Sequence, residues 1–126
     1  MNGEAFIIKT AEIMKQAVRL NEYNRTEGLA LLRSNIEDLD DEDFKIGLRM
    51  TAAETNPAII AEIYENKIHF AKDEYERRFK TITKRAVQGI QEKLETPIFI
   101  KVLLSYANLP PEAERKLEYE LLTGEQ

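Results

Sequence analysis

Between Pro57 and Pro97 the chain contains no proline, and Gly89 is its only glycine there. Across this interval Ile60, Ile63, Tyr64, Ile68, Ala71, Tyr75, Phe79, Ile82, Ala86, Ile90 and Leu94 recur at steps of three and four. That is the spacing of one helix face, close to the 3.5-residue period of a coiled-coil seam. Thr55-Asn56-Pro57 opens the interval, and proline at the first helical position gives up no hydrogen bond the helix needs. The interval predicts one helix from Pro57 to Glu95, about 58 Å long from the helical rise. Such a helix outreaches the segments before it. Its second half needs a returning C-terminal segment, another subunit, or both.

The remaining punctuation predicts shorter helices. Helix 1 is expected over Glu4 to Tyr23, with Phe6, Ile7, Ile13, Met14, Ala17, Val18 and Leu20 as its apolar stripe. Asn24-Arg-Thr-Glu27 has the spacing of a capping box and predicts the start of helix 2, with Leu29, Leu32 and Ile36 on its inner face. Gly28 falls in its first turn and reads as a close approach of another helix. Asp40 or Asp41 is expected to cap helix 3, which runs through Phe44, Ile46, Leu48 and Met50 to about Ala53. Thr96-Pro97 starts helix 5, which runs to about Tyr106. Pro111 starts helix 6, and Gly124 ends it. The expected fold is all-α, a single helical domain over 1–126, with about six helices. A long fourth helix packs against the shorter ones in a helical bundle.

With 43% hydrophobic residues the chain has too much apolar content for a disordered one. A net charge of -5 argues against general attraction to nucleic acid or anionic membrane. No apolar run reaches the length of a membrane span, and no basic region precedes an apolar run at the N-terminus. Cysteine is absent, which removes disulfides, thiolate metal ligands and cysteine nucleophiles. A soluble, cytoplasmic protein is expected.

Few residues invite chemistry. His69 is the single histidine; Glu65 and Asp73 lie four residues to either side, a row that surface ion pairing explains without a metal. Ser34 and Ser105 lack the surroundings of a nucleophile, and the glycines form no phosphate loop. The acidic corner from Glu37 to Asp43 lacks the glycine a calcium loop needs at its sixth position. Glu76-Arg77-Arg78-Phe79-Lys80, with Lys84 and Arg85, is a basic stretch that reads as a solvated helix face. No catalytic residue, cofactor or metal is expected, and the chain is read as non-enzymatic.

One ordered set of motifs goes further. Arg25-Thr-Glu-Gly28-Leu29-Ala30-Leu31-Leu32 is followed by Asp40-Asp41-Glu-Asp-Phe44, Gly47-Leu48, Thr55-Asn56-Pro57 and then Ile59 to Ile68. In order and spacing these resemble the cytoplasmic segment of the flagellar stator A subunit, of the MotA/TolQ/ExbB family, here without transmembrane helices. The resemblance spans roughly the first two thirds of the chain. It implies a helical module that meets a protein partner, a flagellar rotor or ion-channel component, through charged side chains. Arg25 matches a basic contact of the family; Arg33 stands where the family has a glutamate. The expected partner-binding residues are Arg25, Glu27, Arg33, Asp40 and Asp41, with no nucleic-acid partner. The alternative reading is a structural homodimer with no charged docking face. Its interface would run along helix 4 through Ile68, Tyr75, Phe79, Ile82, Ala86 and Ile90.

Overall fold

The structure, a computed structural model, describes residues 1–124. Seven α-helices and no strand are present among the described residues: α1 (Gly3–Glu27), α2 (Leu29–Ile36), α3 (Glu42–Ala52), α4 (Pro57–His69), α5 (Glu74–Glu92), α6 (Thr96–Ala107) and α7 (Pro111–Thr123). The all-helical class agrees with the sequence. The count and the long fourth helix do not.

The expected helix from Pro57 to Glu95 is two helices. The break lies at Phe70 to Asp73, where Asp73 Oδ1 accepts from the Glu76 amide at 2.8 Å and Glu76 Oε2 accepts from the Lys72 amide at 3.1 Å. This nearly reciprocal arrangement is a capping-box start, and it opens α5 where periodicity alone ran on. The turn lets α4 and α5 fold back on each other. Gly89 causes no second break, because α5 continues through it to Glu92.

A second boundary also differs. Asn24 does not start a helix; α1 continues past it to Glu27. Gly28 makes the corner at φ 79°, a left-handed conformation that glycine adopts without strain. It stands between α1 and α2 instead of inside a first turn. Asn24 is buried, and its Nδ2 donates to the Ile90 carbonyl near the end of α5 at 3.2 Å. Asn21 does the same for Leu94 at 2.7 Å.

These bonds set the central geometry. Phe6 packs on Tyr75 near the starts of α1 and α5, with ring centroids 5.4 Å apart. Asn24 meets Ile90 near their ends, so the two helices run parallel. One continuous core surrounds them, drawing Leu32 from α2, Phe44 from α3, Ile60 from α4, Phe99 from α6 and Leu117 from α7. Asp43 ties three helices together, accepting Lys67 Nζ at 3.0 Å and Lys80 Nζ at 2.8 Å.

The predicted caps at Asp41 and Asn56 are present. Asp41 Oδ1 accepts from the Phe44 amide at 2.8 Å and Asn56 Oδ1 from the Ala58 amide at 2.9 Å. No helix is long and apolar enough to cross a membrane among the described residues.

Candidate functional site

The five charged residues expected to dock a partner do not share one face. Arg33 Nη2 donates to the Ala52 carbonyl at 2.5 Å, closing the C-terminal end of α3. Arg25 Nη1 lies 3.4 Å from the Leu94 carbonyl and 3.4 Å from Glu22 Oε1. Glu27 is exposed beside Ala30, Leu31 and Ser34. Asp41 is occupied as the cap of α3. Asp40 and Asp41 border a small cleft with Lys9, Glu12 and Phe79. Glu12 precedes Arg25 by about 20 Å of helix, so the acidic pair and the two arginines sit at different ends of the bundle. In the cleft, partial burial and then the Asp40 carboxyl raise the Glu12 pKa. Burial also raises that of Asp41, against the hydrogen bond from the Phe44 amide.

The seam assigned to a second subunit is filled from within. Ile82, Ala86 and Ile90 are fully buried and Phe79 nearly so, all inside the core of the single chain. The break at Phe70 turned this stripe onto α1, α3 and α6. Of the six residues, only Tyr75 is exposed and Ile68 half-buried; Tyr75 stacks on Phe6 and lies under Arg78. The basic stretch is likewise engaged. Arg77 pairs with Glu74, Lys80 with Asp43, Lys84 with Glu65 and Arg85 with Glu92. His69 sits edge-on to Phe70. No group of acidic or histidine side chains among the described residues is arranged to hold a metal ion.

The surface feature that the charged motifs did not disclose is a groove between α1 and α7. Its upper part, about 540 Å³, is walled by Ile7, Ile8 and Ala11 on one side and Leu109, Ala113 and Leu117 on the other. Its lower part, about 300 Å³, continues past Val18 and Tyr23 to Leu121 and Gly124. Lys15 and Glu120 line both parts, and their 3.0 Å ion pair forms a strut across the groove. From Ile7 to Tyr23 the groove follows α1 for about 24 Å.

Ile8 is 60% exposed and Ile7 36%, although Ile7 belonged to the expected buried stripe. The register of α1 explains this. Phe6, Thr10, Ile13, Met14 and Ala17 face the core, and the isoleucine pair projects to one side of them. Part of this was legible in the sequence, since two adjacent isoleucines cannot both lie on the centre of a single helical face; what the pair faces was not.

No family model, curated protein or solved structure matches this chain.

Proposed function

We propose that the chain is a non-enzymatic protein–protein interaction module that receives an amphipathic helix of a partner protein in the α1–α7 groove. The observation that carries this reading is the groove itself: a long depression with apolar side chains on its walls and charged ones on its rims, crossed at mid-length by the Lys15–Glu120 ion pair, which a bound helix would displace. A helix-binding groove has this composition, with anchors of the bound helix spaced at i, i+3 or i+4, and i+7. A length of about 24 Å seats roughly four helical turns.

A channel running along two helices has the form that accepts one helix, so the proposed occupant is a single helical segment, and a second copy is left as an outcome of the test. The resemblance to the stator cytoplasmic segment supports an interaction role and proposes a rotor or ion-channel component as partner. Arg25, Glu27 and Asp40 remain exposed and are proposed as secondary contacts; Arg33 and Asp41 hold helix ends.

The test is photocrosslinking from position 8 in host cells, with peptide identification by mass spectrometry. The expected adduct is an amphipathic helical segment of another protein, lost when Ala113→Arg fills the groove. Adducts only to a second copy of this chain, or adducts unchanged by Ala113→Arg, would overturn the reading.

A further inference from the structure

Lys15 and Glu120 form the one ion pair that joins α1 to α7 among the described residues. It crosses the groove at 3.0 Å, and the two side chains keep only 28% and 18% of their accessible surface. Both charges are therefore already largely withdrawn from water, with apolar walls to either side. Ala11 stands in the upper part of the groove and Val18 in the lower. About 10 Å of helical rise separates these two positions, and Lys15 lies between them.

This placement restricts what a bound helix can carry. A helix that leaves the strut closed is held away from the floor, where Leu117 and Leu121 are buried. A helix that opens the strut and covers it with apolar side chains buries two charges without partners. Breaking a buried pair without replacing either partner is strongly destabilising. A helix that brings its own acid and base pairs both charges again and still reaches the apolar walls.

We infer that the partner helix carries one acidic and one basic residue at neighbouring positions i+3 and i+4, between apolar anchors at i and i+7. This rests on the reading of the groove as a helix site. Anchors seven residues apart span about 10 Å, so one seats beside Ala11 and the other beside Val18. Positions i+3 and i+4 then lie over the strut. They diverge by about 100° around the helix axis, so one faces α1 and the other α7. The acid pairs with Lys15 and the base with Glu120, in the order set by the direction of the partner helix. A helix with apolar residues at both positions suits an ordinary hydrophobic groove, and this one excludes it. The strut thus acts against wrong partners as well as for the right one.

The test is selection from a displayed library of amphipathic helices, with leucine fixed at i and i+7, positions i+3 and i+4 randomised, and the full chain as bait. The wild-type chain is expected to enrich one acidic with one basic residue by about tenfold over two leucines. Lys15→Glu leaves two acids and should shift the enrichment to two basic residues. Glu120→Lys leaves two bases and should shift it to two acidic residues. Lys15→Leu combined with Glu120→Leu should favour apolar residues at both positions. Circular dichroism checks that each bait is folded. Enrichment of apolar residues by the wild-type chain, or of the same residues by every bait, would overturn the inference and leave the groove a helix site. No helix enriched by the wild-type chain, or enrichment that survives Ala113→Arg, would overturn the helix-site reading and this inference with it.

Discussion

A Cβ placed on Gly89 would lie 2.2 Å from Cε1 of Phe99. Both residues are fully buried or nearly so. The ring of α6 therefore rests directly on the backbone of α5, and the closest approach of these helices depends on the missing side chain. A glycine normally weakens a helix interior by about 1 kcal/mol relative to alanine. Here packing reverses that preference. Gly89→Ala is expected to destabilise the protein by about 1–3 kcal/mol, the usual cost of overpacking a core. Urea denaturation measures it, and adding Phe99→Leu should recover part of the loss.

Tyr64 crosses from α4 to α3, and its hydroxyl donates to the Asp43 carbonyl at 2.6 Å. Burial, followed by the charges of Asp43 and Asp41, drives its pKa far upward, so it stays a donor throughout the accessible pH range. Tyr64→Phe should cost about 1 kcal/mol, the net worth of one such bond. Gly47→Ala should cost more, because its Cβ would stand 2.0 Å from the same hydroxyl oxygen.

Acid sensitivity should be traceable to one carboxylate. Burial pushes the Asp43 pKa up, but the ammonium groups of Lys80 and Lys67 outweigh it and the net shift is downward. A depressed carboxyl binds fewer protons folded than unfolded, so stability rises with pH through that window. Its contribution is present above the ordinary aspartate range and is lost as pH falls through the folded pKa. Asp41 and Glu12 shift upward and act oppositely, with stability falling as pH rises above the ordinary carboxylate range. Asp43→Asn should flatten the fall of Tm between neutral and acidic pH. Glu12→Gln should steepen it.

The two arginines separate cap from contact. Arg33→Glu removes the donor to the Ala52 carbonyl and places a negative charge at the C-terminal end of α3. It should lower stability by about 1–2 kcal/mol. Arg25→Glu, whose bonds are long and exposed, should change stability by less than about 0.5 kcal/mol. Equal losses in thermal denaturation would contradict this division of roles.

Helix boundaries divide into those that local chemistry announces and those that it leaves open. Asp41, Asn56-Pro57 and Pro111 start helices where their side chains and fixed φ predict. Asp73-Glu74-Tyr75-Glu76 is an equally local cap, but the apolar spacing runs through it without a change of period. Chain order cannot show whether a cap inside a periodic stripe is used, because a continuous helix and a folded-back pair satisfy the same pattern. The outcome rests on what covers the stripe. Here α1, α3 and α6 bury Ile82, Ala86 and Ile90, which removes them from any outer surface.

The sites divide in the same way. Apolar period, caps and composition determined by themselves that this chain is helical, and they located most helix starts. Tertiary structure alone decided that Asn24 closes another helix instead of opening its own. It decided that Arg33 serves a carbonyl 19 positions along the chain, and that Ile7 and Ile8 face a groove. Each of these depends on which surface lies opposite a side chain. That is settled when helices distant in sequence pack together, and no local spacing encodes it.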